Sequence, residues 1–181
     1  MVKNLDNNLI DEAKNGNQRA FAFIVKYYEK QLISYVFKMT KSRNDLDDII
    51  QEVLIKTWQN LKKLDNYDKF SNWMFSIAHN CCIDYLRKNK KLDNDIENEI
   101  LYDENIDLPT EILMKKELEN IINDIVADLP EKQKNVFLLR NDAELSFKDI
   151  AEITKEPLNT VLSHYNYAIK KIKKELQKYY E

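Results

Sequence analysis

Residues 146–161, Ser-Phe-Lys-Asp-Ile-Ala-Glu-Ile-Thr-Lys-Glu-Pro-Leu-Asn-Thr-Val, decide the fold of this chain. Ser146 is a residue type that caps helix N-termini, Phe147, Ile150, Ala151 and Ile153 recur at helical steps, and Pro157 closes a short turn. Beyond the turn, Val161, Tyr165, Ala168, Ile172 and Leu176 continue as the apolar stripe of a longer helix. A short helix, a tight turn and a long helix make a helix-turn-helix pattern. In such a unit the first helix braces the second across a small apolar contact, here expected between Ala151 and Val161, and leaves the start of the second free to enter a DNA major groove. Two ordinary packed helices give the same local pattern, so the surroundings have to decide.

Upstream, Pro130 suits the first turn of a helix carrying Val136, Phe137 and Leu139, with a loop at 141–144 behind it. Before that, Leu118, Ile121, Ile122, Ile125 and Leu129 mark another helix. Residues 92–114 contain eight acidic side chains and no Lys or Arg, show little periodicity and end in Pro109 and its neighbours. Such a stretch reads as a linker extended by self-repulsion. The chain therefore divides into an N-terminal domain, 1–91, an acidic linker, 92–114, and a C-terminal domain, 115–181. Their Lys/Arg and Asp/Glu counts are 16 against 11, 0 against 8, and 12 against 12. The overall net charge of -3 conceals this segregation.

In the N-terminal part, Gly16, the sole glycine, can adopt the left-handed conformation that ends a short leading helix around Leu9 to Lys14. Phe21, Ile24, Val25, Tyr28, Leu32, Val36 and Met39 then form one stripe of a helix of about twenty residues. After a turn at 42–44, Leu46, Ile49, Ile50, Val53 and Leu61 face a core, with Asp47, Asp48, Gln51, Glu52 and Lys56 on or near the opposite side. A polar break, 62–69, precedes a third long helix. Ser71 is the expected N-cap there, Phe70 and Phe75 a hydrophobic staple. Met74, Ile77, Ala78, Cys81 and Tyr85 face inward, while Trp73, Ser76, Asn80, Arg87 and Lys91 face outward into a basic tail at 87–91.

The chain is expected to be all-α. Its 181 residues include one Gly and three Pro, with 33% charged and 44% hydrophobic side chains, unlike turn-dense β proteins or disordered chains. No apolar run reaches the ~18 residues of a membrane span, and the N-terminus is too polar for a signal peptide, so a cytoplasmic protein without membrane insertion is expected. Adjacent Cys81 and Cys82 build neither a disulfide framework nor a zinc site, and His79 and His164 do not complete one. No metal and no cofactor is expected. No nucleophile with its base, paired carboxylates or phosphate-cradling glycine loop can be assembled, which makes an enzyme the weakest class.

LPEKQKNVFLLR (129–140) and LSFKDIAEI (145–153), with the helix behind them, resemble the C-terminal region 4 domain of extracytoplasmic-function (ECF) sigma factors of bacterial RNA polymerase. NQRAFAFIVKYYEKQL (17–32), DLDDIIQEVLIKTW (45–58) and FSNWMFSIAHNCCIDYLRK (70–88) resemble, in the same order, the region 2 domain of that family. The resemblance covers nearly the whole chain. It implies a non-catalytic subunit that binds core RNA polymerase through the clamp of the β′ subunit and the β flap. That subunit would direct the enzyme to promoter DNA and nucleate strand opening. Asp48, Gln51 and Glu52 are the implied polymerase contacts, although such carboxylates also suit a solvated helix face.

For minus-10 DNA the resemblance implies the loop 64–70 and the outer side of the following helix: Tyr67, Ser76, Asn80, Arg87 and Lys88. An asparagine can pair with a base edge, a loop tyrosine can stack on an unpaired base, and basic side chains can follow phosphates. Loop packing for Tyr67 and core filling for Trp73 remain the alternatives. Opening about ten base-pair steps costs on the order of 14 kcal/mol, whereas a base stacked on an aromatic returns roughly 1 to 3 kcal/mol. A small domain therefore starts melting and a larger machine must sustain it.

For minus-35 DNA the implied residues are Thr160, Ser163, His164, Asn166, Tyr167 and Lys170. Here the chain departs from the family. Asn-Thr-Val-Leu-Ser-His (159–164) stands where members commonly have Gly-Thr-Val-Lys-Ser-Arg, and no Lys or Arg occurs between 159 and 169. For Leu162 and Tyr167, an exposed apolar pair, facing protein is the main alternative. The acidic linker suits a basic polymerase channel and bare solvent alike. An anti-sigma partner covering both domains is compatible with the resemblance. Two other classes stay open: a stand-alone helix-turn-helix regulator binding duplex DNA as a dimer, and a protein-only decoy whose DNA helix has decayed.

Overall fold

The structure is a computed structural model that describes residues 6–89 and 110–179, with side chains from 118 onward in the second stretch. Among these residues are eight α-helices and no strand: α1 (Asn7–Lys14), α2 (Gln18–Thr40), α3 (Leu46–Asn60), α4 (Phe70–Asn89), α5 (Thr110–Ala127), α6 (Glu131–Asn141), α7 (Phe147–Thr154) and α8 (Leu158–Gln177). Most of the linker assigned to 92–114 lies outside the described residues. Its last residues do not: α5 already starts at Thr110, because Glu111, Ile112, Leu113 and Met114 are competent helix formers whatever the charge of the segment before them.

Helices α1 to α4 form the first unit. Asp6 caps α1 through the Asn8 amide, and Gly16 takes φ +96°, which frees the chain to restart at Asn17, whose side chain accepts from the amides of Arg19 and Ala20. Ile24, Tyr28, Leu32, Val36 and Met39 are buried as their spacing predicts. Tyr35, absent from that stripe, is wholly buried as well. Ile49, Val53, Leu61, Leu64, Phe70, Met74, Phe75, Ala78, Cys81 and Cys82 complete this core. The expected Ser71 cap is not formed. A single 3-10 turn, Tyr67–Lys69, runs directly into α4 at Phe70, Asn66 caps that turn through the Asp68 amide, and Ser71 already lies inside the helix. Burial of the Phe70 ring draws the first helical residue two positions back, from Asn72 to Phe70.

Helices α5 to α8 form the second unit around Ile125, Val126, Leu129, Val136, Leu138, Leu139, Ile150, Ile153, Val161, Ala168 and Ile172. Ser146 caps α7 as expected, accepting from the Asp149 amide, and Lys155, at φ 56°, reverses the chain before Pro157 and α8. The two units pack on each other through α2 against α5 and α6, and α4 against α7. At the centre of this seam the Tyr35 hydroxyl donates to Asn135 Oδ1 over 2.9 Å, both groups being buried. Around it Ser34 Oγ donates to Asp142 Oδ2 (2.6 Å), the Lys38 ammonium sits 2.9 Å from the same oxygen, and Asn72 Nδ2 donates to Asp149 Oδ1 (3.0 Å).

Lys134, on α6, is also buried. Loss of hydration, reinforced by the charge of Lys41, pushes its pKa from 10.5 down to about 8. The folded form is thus penalised for keeping this ammonium below pH 8, and the penalty is relieved as pH rises from there towards 10.5. Lys134→Met should therefore raise stability at pH 7 by about 2 kcal/mol. Paired thermal melts check this: the gap between variant and parent must narrow as pH climbs past 8, and a constant gap would show that packing alone is responsible.

Candidate nucleic-acid interface

Three surfaces emerge once the helices are in place. On α3, Ile49, Val53 and Thr57 turn inward while Asp48, Gln51, Glu52 and Ile55 share the exposed side. The start of α3 is anchored by Asp45, whose Oδ2 accepts from the Ser42 and Tyr85 hydroxyls at 2.7 Å each. These hydrogen bonds hold its carboxyl below the ordinary range and tie the α2–α3 turn to α4. Glu52 meets Lys56 at 2.6 Å, one turn on, so the stripe is acidic at its N-terminal end and neutralised farther along. Ile55, nearly half exposed, sits in the same stripe. Sequence reasoning missed it, although an isoleucine out of phase with the buried positions 49, 53 and 57 is the signal that reveals it.

The second surface is the loop before α4 and the outer side of that helix. Asn80, Arg87 and Lys88 are exposed. Arg87 is engaged by Asp84 at 2.8 Å, an exposed pair that holds it only weakly. Ser76 is half-buried and its hydroxyl donates to the Trp73 carbonyl at 2.7 Å, so its oxygen is spent on its own helix. Trp73 is half-buried beside Phe70, with ring centroids 6.0 Å apart, in keeping with core filling. Tyr67 is not a free loop aromatic. Its hydroxyl donates to Asp11 Oδ1 at 2.7 Å, and the Lys14 ammonium stands 5.4 Å from its ring centroid.

The inner flank of α4, by contrast, faces the second unit. Asn72 reaches Asp149, and His79 and Ile83 line a cleft of about 230 Å³ with Asn135, Val136 and Glu156. His79 Nδ1 lies 3.4 Å from the Tyr35 hydroxyl, and burial lowers its pKa despite the nearby Asn135 and Glu131, which favour the charged ring. The polar pairings of this seam carried no sequence signal, because the partners lie 44, 77 and 100 positions apart in the chain.

On α8, Asn159, Ser163, Asn166, Tyr167 and Lys170 are exposed on one flank, and Thr160 is half-buried beside them. His164 departs from this set. It is half-buried with Nε2 at 3.4 Å from Glu156, which also holds Lys132 at 2.7 Å, so the imidazole faces the turn between α7 and α8. Leu162 is half-buried too, whereas Tyr167 stands out in solvent. On the inner side of α8, Tyr165 stacks on Phe137 of α6 and meets Phe147 of α7 edge-on. Among the described residues no group of three or more His, Cys, Asp or Glu can hold a metal ion, and no helix is long and apolar enough to cross a membrane.

Two family models match this chain: Sigma-70 region 2 over residues 24–92 and Sigma-70 region 4 over residues 119–172. Among curated proteins, the ECF RNA polymerase sigma factor SigW of Bacillus subtilis is 32% identical over 178 residues, 93% of this chain and 95% of that one. The ECF RNA polymerase sigma-E factor of Haemophilus influenzae is 30% identical over 184 residues, 95% of each chain. Two solved structures share the fold. One is CnrH in complex with the cytosolic domain of CnrY (TM-score 0.69, 20% identity, 96% of this chain and 97% of that one). The other is the sigma factor RpoE with the anti-sigma factor NepR from Bartonella quintana (TM-score 0.70, 16% identity, 87% and 96%).

Proposed function

We infer how this molecule works from one premise, that the chain belongs to the ECF sigma factors of RNA polymerase. It is a transcription initiation factor that directs core polymerase to specific promoters. The dimeric stand-alone regulator is not favoured, since Sigma-70 region 2 matches residues 24–92, a half for which a helix-turn-helix regulator has no counterpart in this reading. The observation that carries the reading is the pairing of an exposed acidic stripe on α3 with an exposed polar flank on α8, in two units joined by one tether.

Within that frame, region 2 spans 1–91 and region 4 spans 115–181, with the acidic tether between them, the last residues of which, from Thr110, already belong to α5. Asp48, Gln51 and Glu52 bind the polymerase clamp, joined by Ile55, whose apolar side chain gives the docking stripe a centre that excludes water. Asn80, Lys88 and Arg87, once released from Asp84, meet minus-10 DNA beside the loop 64–70. Ser163, Asn166, Tyr167 and Lys170 meet minus-35 DNA, with Thr160 at the edge and His164 supporting the turn rather than touching bases. The factor carries no chemistry of its own and works in the cytoplasm with polymerase. The sigma factor RpoE, which shares this fold, is in complex with the anti-sigma factor NepR, and a partner of that kind suits this chain also.

Both promoter elements cannot be reached in the packed arrangement. They lie about 25 base pairs apart, or ~85 Å at 3.4 Å per base pair, whereas a chain of this length packed as one body has a radius of gyration of about 16 Å. The seam must therefore open on the enzyme. The tether permits it, because residues 90–109 span up to ~70 Å when extended. Run-off transcription with purified core polymerase over a genomic promoter library tests the function. Start sites should appear only with this protein, and the holoenzyme should protect minus-35 DNA. No dependent start site would overturn the reading, and starts without minus-35 protection would leave α8 as a protein-binding helix.

A further inference from the structure

The loop between α3 and α4 is pinned at its ends by the core, through Leu61, Leu64 and Phe70, while Asp65, Asn66, Asp68 and Lys69 stand in solvent. A segment of this kind, tipped by polar residues and joined to a helix on both sides, ordinarily samples many conformations. Here it does not stand alone. Lys14 Nζ, at the end of α1, donates to the Leu64 carbonyl at 2.6 Å in a partly buried position and also sits 5.4 Å above the Tyr67 ring. One ammonium thus ties the start of the loop to its middle. Asp11, one turn earlier on α1, accepts from the Tyr67 hydroxyl at 2.7 Å, and Asn7, a further turn back, donates to Asp68 at 3.3 Å.

The spacing of Asn7, Asp11 and Lys14, four and three residues apart, puts all three on one side of α1. The side turned to the core carries Ile10 and Ala13, both buried, so the helix is fixed before it touches the loop. Gly16 and Asn17 end α1 and restart the chain as α2, which makes α1 a separate short brace laid across the first unit.

We propose that α1 is a positioning element for promoter melting: Asp11 and Lys14 hold Tyr67 and the loop 64–69 in the geometry that receives the unpaired minus-10 strand. The proposal rests on the assignment of that loop to minus-10 DNA. Neither residue touches DNA. Their effect is to pay the ordering of the loop in advance, so that base capture does not have to freeze it. The Tyr67 ring keeps its role as a surface for a base, with its rim fixed by Asp11 and one side electrostatically marked by Lys14.

The test uses the holoenzyme reconstituted with full-length protein. Asp11→Ala and Tyr67→Phe each remove the same hydrogen bond from opposite ends, and each should reduce permanganate-reactive open complex about fivefold. The double variant should be no worse than either single one, and Asp11→Asn, which keeps an acceptor at Oδ1, should restore most of the loss. Lys14→Met should lower opening likewise, while polymerase affinity and minus-35 protection stay at parental values. Photo-crosslinking from the minus-10 non-template strand is run in parallel on the parent protein. Crosslinks to 64–69 with parental opening by Asp11→Ala and Tyr67→Phe would overturn the positioning role alone. An absence of crosslinks to this loop would overturn the minus-10 assignment, and the proposal with it. Additive losses in the double variant would also overturn it, since they would mean that the two side chains act separately.

Discussion

Replacing Asp48 and Glu52 together by lysine will leave a folded protein that no longer supports promoter-dependent transcription. Both side chains are exposed on α3, so nothing in the core depends on them. Asp48 lies in the first turn, where its charge favours the helix dipole. Reversing it costs about 1 kcal/mol of stability at most. The Glu52–Lys56 pair is solvent-exposed and adds only a few tenths of a kcal/mol. Against a basic partner the arithmetic is different. Two attractive contacts become two repulsions, each costing several kcal/mol, so affinity for core polymerase should fall by more than about a hundredfold. Anisotropy titration of labelled protein with core enzyme, alongside circular dichroism, separates binding from folding. Parental affinity in the double variant would remove α3 from the docking surface altogether.

Truncating Asn135 to alanine should open the seam between the two units. Tyr35 is wholly buried, and without Asn135 Oδ1 its hydroxyl keeps only His79 at 3.4 Å. A buried donor left without its acceptor costs about 1 to 3 kcal/mol, which shifts the closed–open balance by about five- to 150-fold. Energy transfer between dyes placed on the two units reports this directly in the free protein. Free Asn135→Ala should also take up a minus-10 single-stranded oligonucleotide more readily, because α7 then leaves Asn72 and the flank of α4. The same variant in holoenzyme should bind that oligonucleotide as the parent does if, as proposed, the enzyme parts the seam. Tyr35→Phe combined with Asn135→Leu should close the seam again, because an apolar pair of similar shape leaves nothing unsatisfied. Unchanged energy transfer in Asn135→Ala would show that the apolar contacts of α2 and α4 alone hold the units together.

Acid should act in the same direction. His79 is held neutral by burial in the closed form, with its pKa below 6.5. The closed arrangement is therefore fully favoured above 6.5 and loses support as pH falls from there towards the lowered value, the window in which a hydrated ring in the open form takes up a proton that the closed form resists.

The helices themselves were legible because each announces its boundaries locally. Gly16 with Asn17, Ser146 before Phe147 and Pro157 after a short apolar run are each decided by neighbours within a few residues. Ser71 misled for the same reason: its identity favours a cap, and only the burial of Phe70 against Tyr28 and Trp73 moves the helix start ahead of it. The sites divide along a similar line. The outward flanks of α3 and α8 follow from periodicity, so Asp48, Gln51, Glu52, Ser163, Asn166 and Tyr167 are exposed as expected. What a surface residue touches does not follow from its period. His164 bends to Glu156, Ser76 returns to its own backbone, and Tyr67 is claimed by a helix more than fifty residues away.

The outer flank of α8 has consequences for where this molecule spends its time. Its first three turns offer hydroxyls, amides and a phenol but no cation, and the lysines gather only towards the C-terminal end. Sequence-independent attraction to the chromosome grows with the number of neutralised phosphates. A reader this poor in positive charge is weakly retained by the vast excess of irrelevant sites. On the reading of α8 as the minus-35 helix, this flank adds little to general retention along the genome, and the first unit, with 16 Lys/Arg against 11 Asp/Glu, supplies more of it.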